Sequence, residues 1–270
     1  MTYANILVSV DFAEGAPDRV RVAAGLAHRF DALLTGVAAA DAPVPLFAHD
    51  VRDAHAQYER ARGEIQRELE RAQGLFARSA GEAPRTAWRG GVDSPLAYLV
   101  EQARAADLLV LGRSDPTDLD PGPLGILPGP VLMEAARPVL VVPPDVADLP
   151  ARRIVVAWKD TSEARRAVSG ALPFIRSAEQ VFVASVGDCA RSEGAQDVTA
   201  HLARHGAPAT THLLSAAASD GAEILRFARQ QEADLIVMGA YGHSRLREWA
   251  FGGATRDVLN TAPICCLMAH

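Results

Sequence analysis

The strongest constraint on this chain is that it repeats itself. Residues 107–112 (DLLVLG) return as residues 234–239 (DLIVMG). Residues 6–10 (ILVSV) are answered by 154–158 (IVVAW), and residues 137–142 (RPVLVV) by 262–267 (APICCL). Three matches in the same order point to a duplicated unit. The joint falls in the proline-rich stretch 143–150 (PPDVADLP), which reads as a linker. The chain of 270 residues therefore divides into domains 1–145 and 151–270, in keeping with ~100–200 residues per domain.

Each half alternates short apolar runs with longer helical ones. Strands are expected near 4–10, 33–40, 84–88, 107–112 and 138–142, then 152–158, 180–186, 209–214, 234–239 and 263–268. Helices are expected between the strands, for example at 53–79, 93–105, 163–176, 192–205 and 220–232, with Thr161 or Ser162, and Ser219 or Asp220, as N-caps. Continuous apolar strands alternating with helices predict parallel sheets covered on both faces. The fold class is α/β: two tandem, open, doubly wound, five-stranded parallel sheets of Rossmann-like type. Ligands of such sheets sit beyond the carboxyl ends of the strands.

Composition narrows the partners. Asp and Glu outnumber Lys and Arg, 33 to 27, for a net charge of −6. That balance opposes a nucleic-acid-coating protein. No run approaches 18 apolar residues, so no membrane span is expected. The first residues lack a basic segment followed by a long apolar one, so no signal peptide is expected. The cysteines are three, Cys189, Cys265 and Cys266, which is no disulfide framework. A reducing cytoplasm is the expected compartment. Cys265 and Cys266 are neighbours in a strand and point to opposite faces, which favours burial over joint chemistry.

After the strand ending at Gly239 the sequence reads GAYGHSRLREWAFGGAT, residues 239–255. Its glycines fall as G-x-x-G, nine residues, then G-G-A-T. Such a loop can expose amides as an anion nest. Helix from Ala254 onward would put Thr255 in a first turn, where free N–H groups favour phosphate. Arg245, Arg247, Arg256 and Lys159 supply positive charge nearby. The alternative is that the glycines serve only tight turns and close helix packing.

With these residues the chain resembles the universal stress protein (UspA) family, in its tandem two-domain form. The most specific match is the G-x-x-G-x9-G loop on Gly239, Gly242 and Gly252. The resemblance implies an adenine-nucleotide-hydrolase-like fold, with ATP bound by many members and by others not. It places Ala157 and Val186 beside adenine, Met238 as the floor, and Gly239, Gly242, Gly252, Gly253, Ala254 and Thr255 around the phosphates. It also implies pairing of the final strands, 139–142 with 264–268, into an internal pseudo-dimer, and allows a homodimer.

Two departures from the family pattern stand out. Gly253 replaces the usual Ser or Thr. Lys159, preceded by Trp158, stands where ATP-binding members usually carry Asp. Lys159 either contacts phosphate, lessening the need for Mg2+, or is a solvated lysine. Trp158 either stacks on adenine or fills its space. His243 either touches phosphate or faces solvent.

The first half keeps the Asp, at Asp11, and loses the loop. Asp115 takes the place of the second glycine, Asp118 and Asp120 add negative charge, and prolines 116, 121, 123, 128 and 130 remove amide donors. Such a segment should repel polyphosphate, so one nucleotide site at most is expected, in the second half.

Other clusters read as structural. Asp197, His201 and His205 share a helical spacing without an H-E-x-x-H arrangement. The mixed charges of 53–79 read as a solvated helix face. With no P-loop Lys-Ser/Thr and no acidic metal cluster, the expected function is ATP or adenine-nucleotide binding with a sensing or stress-tolerance role, not catalysis, and no metal site. The alternatives are a nucleotide-free protein-interaction module and a slow ATPase.

Overall fold

The computed structural model describes residues 2–43, 47–83, 85–113, 122–187, 190–215, 219–242 and 253–270. The first half contributes β1 (Asn5–Ser9), α1 (Ala16–Phe30), β2 (Leu33–Ala40), α2 (Val51–Ala80), β3 (Thr86–Val92), α3 (Pro95–Gln102), β4 (Leu108–Gly112), α4 (Pro128–Glu134) and β5 (Val139–Val142). The second contributes β6 (Arg153–Ala157), α5 (Ser162–Ile175), β7 (Gln180–Val186), α6 (Ala195–Arg204), β8 (Ala209–Leu214), α7 (Asp220–Gln230), β9 (Leu235–Gly239), α8 (Ala254–Thr261) and β10 (Cys265–Ala269).

The strands form one sheet in the order β3-β2-β1-β4-β5-β10-β9-β6-β7-β8. Each half keeps its own five parallel strands, and the two edges meet as an antiparallel pair. There Val139 opposes Met268, Leu140 opposes Leu267 and Val141 opposes Cys266. The internal pairing implied by the resemblance is therefore present. It occupies two strand edges that would otherwise offer unpaired backbone groups.

Side chains alternate across this sheet into two layers. Ile6, Val8, Ile154 and Val156 face α1, α2, α5 and α6. Leu109, Leu111, Val155 and Ile236 face α3, α4, α7 and α8. Cys265 and Cys266 fall in opposite layers and are both buried. Burial pushes the Cys265 thiol up to about 12, with Asp234 and Asp148 adding to the effect. Burial also raises Cys266, aided by Cys265. Neither thiol is poised for chemistry near neutral pH.

The halves also meet through a ring cluster. Tyr3 packs edge-on against Phe30 at 5.0 Å and tilts against Phe174 at 5.5 Å, and its hydroxyl donates to the Gly170 carbonyl. Two elements differ from the sequence expectation. β3 runs to Val92, through Gly90 and Gly91, instead of ending at 88. These glycines admit rings: a Cβ on Gly91 would lie 2.6 Å from Tyr98. Pro128 and Pro130 begin α4, where a missing amide costs little because first-turn amides lack helical partners. Among the described residues no helix is long and apolar enough to cross a membrane.

Candidate functional site

A cleft of about 250 Å3 opens beyond the carboxyl ends of β6, β7 and β9. Its position follows from topology: β6 and β9 are neighbours whose following helices leave on opposite faces of the sheet, a switch point. Ala157, Ala184, Val186, Ile224, Met238 and Val258 give it apolar walls. Lys159, Thr161, Glu193 and Asp220 contribute polar side chains, and Trp158, Ala164, Gly221, Gly239, Gly242, Gly253, Ala254 and Thr255 complete it.

The structure thus brings Ala157, Lys159, Val186, Met238, Gly239, Gly242, Gly253, Ala254 and Thr255 together around one space. His243 and Gly252 lie outside the described residues, as do Arg245 and Arg247. Sequence reasoning missed Glu193, Asp220, Gly221 and Ile224. They come from the segment after β7 and the start of α7, which carry no glycine signature.

Local structure explains how each part is held. α8 starts after Gly253, which provides no side-chain cap. Its first amides are therefore open to another acceptor. Thr255 is buried, and its hydroxyl oxygen accepts from the Tyr241 amide at 3.3 Å, leaving its own proton for a further acceptor. α7 is capped by Ser219, whose hydroxyl accepts from Ala222 and donates to Asp257 at 2.8 Å. That bond ties the starts of α7 and α8 together on one side of the cleft.

Gly239 has a packing duty. A Cβ there would stand 2.6 Å from the Ala164 amide nitrogen and 2.9 Å from Glu163. The start of α5 therefore sits directly on the end of β9. Gly242 faces the same helix start, with 3.1 Å from an added Cβ to Glu163 Oε2. The close-packing account of these glycines holds for Gly239, without removing it from the cleft wall.

Trp158 borders the cleft. Its indole packs in the layer of α5 and α6, and its Nε1 donates to the Glu193 carbonyl at 2.6 Å. The next residue, Lys159, is exposed, and no carboxylate lies within ion-pair distance among the described residues. Burial raises the Glu193 carboxyl; Asp220 and Asp160 add to this and Lys159 opposes it. Among the described residues the cleft accordingly has one cationic and two anionic side chains at its rim.

The matching strand ends of the first half are arranged differently among the described residues. Arg19, buried, forms an ion pair with buried Asp11 at 2.8 Å. Its guanidinium lies over Gly112, so that even a Cβ there would collide with it. Asp11 also accepts from the Ala13 amide at 3.1 Å. The family-type Asp is thus consumed by an internal cation. Asp115, Asp118, Asp120, Pro116 and Pro121 lie outside the described residues.

His201 and His205 stack edge to face at 4.7 Å at the end of α6, and Asp197 stands in its first turn. They line a separate cleft with Trp158 and Arg165. Cys189 lies outside the described residues.

Comparison with known proteins agrees with this architecture. A universal stress protein from Archaeoglobus fulgidus DSM 4304 shares the fold at a TM-score of 0.69 and 14% identity, over 99% of this chain and 96% of that one. A functionally unknown protein from Pseudomonas aeruginosa PAO1 aligns at a TM-score of 0.55 and 19% identity, over 98% and 92% of the two chains. Among curated proteins, none matches this chain. The universal stress protein family model matches residues 2–143 and again 190–270. With the repeated fold, the doubled match establishes that the chain belongs to the universal stress protein family.

Proposed function

We propose that the second half binds ATP or a related adenine nucleotide, and that the protein acts as a nucleotide-dependent sensor or stress-tolerance factor without turning the nucleotide over. The observation that carries this reading is the convergence of a helix start without a side-chain cap and the Lys159 ammonium on one apolar slot. The slot suits a planar base. The α8 amides and the Thr255 hydroxyl suit phosphate oxygens, since free N–H groups and the helix dipole favour anions there. Lys159 adds a point charge that serves phosphate without a metal.

Mg2+ is not required in this account. The residue in the usual Asp position is an ammonium, which cannot ligate a cation. Catalysis is not part of this reading, because among the described residues the polar side chains of the cleft include no paired nucleophile and base.

The test is to purify the whole chain gently, denature it and identify released nucleotide by mass spectrometry. ATP or ADP near one equivalent is expected, or else uptake of added ATP with and without Mg2+. Gly242→Asp should abolish either, because it sets a carboxylate beside the phosphates and against Glu163. An empty native chain that ignores added ATP under both conditions would refute the proposal.

A further inference from the structure

The helix that faces the cleft is held by the other half of the molecule. α8 lends Ala254, Thr255 and Val258 to the cleft. Its far end is reached by Arg113, the residue that follows β4 in the first half. The Arg113 guanidinium donates from Nη1 to the Asn260 carbonyl at 2.9 Å. Asn260 stands in the last turn of α8, where carbonyls lack helical partners and the dipole favours a cation. Arg113 is itself fixed to its own half, because its amide donates to the Val142 carbonyl of β5 at 2.8 Å.

The near end is reached through Tyr241. Its amide donates to the Thr255 hydroxyl oxygen, in the first turn of α8, at 3.3 Å. Its backbone sits at φ +58°, a conformation uncommon for a bulky residue, which the surroundings must hold. The ring packs against the layer of α3, α4, α7 and α8. Its hydroxyl meets the start of α4 in the first half: a Cβ on Gly129 would lie 3.0 Å from the hydroxyl oxygen and 4.0 Å from Cζ. Gly129 therefore leaves the space that this hydroxyl occupies. α8 is thus clamped from the first half at both ends. Arg113, Tyr241 and Gly129 are not among the described residues that line the cleft.

Phosphate binding depends on where the first amides of α8 point, because a hydrogen bond weakens steeply with distance and angle. α8 has only 8 residues, so a shift at Asn260 is carried to its start. Resting on the nucleotide reading above, we propose that the first half, whose own glycine loop is lost, braces the binding helix of the second. Arg113, acting through Asn260, and Gly129, acting through Tyr241, are positioning residues for the nucleotide's phosphates. The coupling is reciprocal, so nucleotide in the cleft strengthens the hold of α8 on the first half.

The experiment is equilibrium dialysis of the full chain against ATP and adenosine. It compares the native protein with Arg113→Met, Arg113→Lys, Gly129→Ala, and Gly129→Ala combined with Tyr241→Phe. Circular dichroism melts establish that the variants are folded. Arg113→Met should weaken ATP about tenfold, inside the range usual for coupled sites, and leave adenosine, which has no phosphate, close to native. Arg113→Lys should regain part of the loss, since it keeps a cation at the helix end. Gly129→Ala suits a helix better than glycine does, yet its methyl meets the Tyr241 hydroxyl, so ATP should again weaken selectively. Removing that hydroxyl in the combined variant leaves Cζ at 4.0 Å, an ordinary contact, and should restore ATP binding. Equal losses for ATP and adenosine would overturn the proposal, because they would mean general damage to the cleft. So would a Gly129→Ala loss that Tyr241→Phe fails to restore. A native chain that binds ATP, with Arg113→Met and Gly129→Ala binding it equally well, overturns this inference alone. A native chain that binds no ATP overturns the nucleotide reading and this inference with it.

Discussion

Individual side chains set the two halves of this molecule apart. In the first half Arg19 lies over Gly112 and pairs with Asp11; in the second, Lys159 stands exposed at the rim. Breaking a buried pair strands a charge, so Arg19→Met should cost about 3–5 kcal/mol in urea unfolding. Adding Asp11→Asn should recover much of it, and a single variant no less stable than native would count against the buried pair. His212 offers a second residue-scale test. It packs against Phe182 at 5.6 Å and Phe227 at 5.0 Å, and burial lowers its pKa from 6.5. The folded state then binds fewer protons than the unfolded one. The contribution of His212 to stability is complete above pH 6.5 and is lost as pH falls through the lowered value. Melting temperatures should therefore drop on acidification from that point, and His212→Phe should flatten this part of the profile. An identical profile in the variant would remove His212 from the account.

At the scale of elements, most of the architecture was legible because buried parallel strands are nearly continuous apolar runs. β2, β7 and β8 begin and end where those runs do, at Leu33–Ala40, Gln180–Val186 and Ala209–Leu214. Thr161 and Ser219 cap α5 and α7 through their hydroxyls. β3 was misread because Gly90 and Gly91 resemble a break. The rings that require them arrive from Trp88 and Tyr98, and that packing is tertiary. α4 was missed because a run of prolines looks like loop, although a helix start tolerates proline. The cleft was half legible. Gly239 to Thr255 announce themselves by spacing, while Glu193 and Asp220 reach the cleft only through the course of the chain after β7 and β8. The resemblance singled out Ala157 and Val186, which stand in the cleft wall, and it had no means of telling that the Trp158 indole, at the cleft border, would pack into the layer of α5 and α6.

At the scale of the molecule, duplication has been converted into one sheet. The β5–β10 seam and the Tyr3–Phe30–Phe174 cluster hold the halves together. Cutting at the linker would uncover both edges of the seam. Residues 151–270 expressed alone should self-associate through β10, and sedimentation should give a dimer that Leu267→Arg disperses. A monomeric fragment would argue that the seam contributes little. The duplicated halves have also diverged, one with an internal arginine over its strand end and the other with a cleft there. The account's central claim is that asymmetry, and nucleotide stoichiometry on the full chain tests it most directly. Isothermal titration with ATP should give one site per chain, lost in Gly242→Asp, while two sites per chain, or one that survives that substitution, would contradict it.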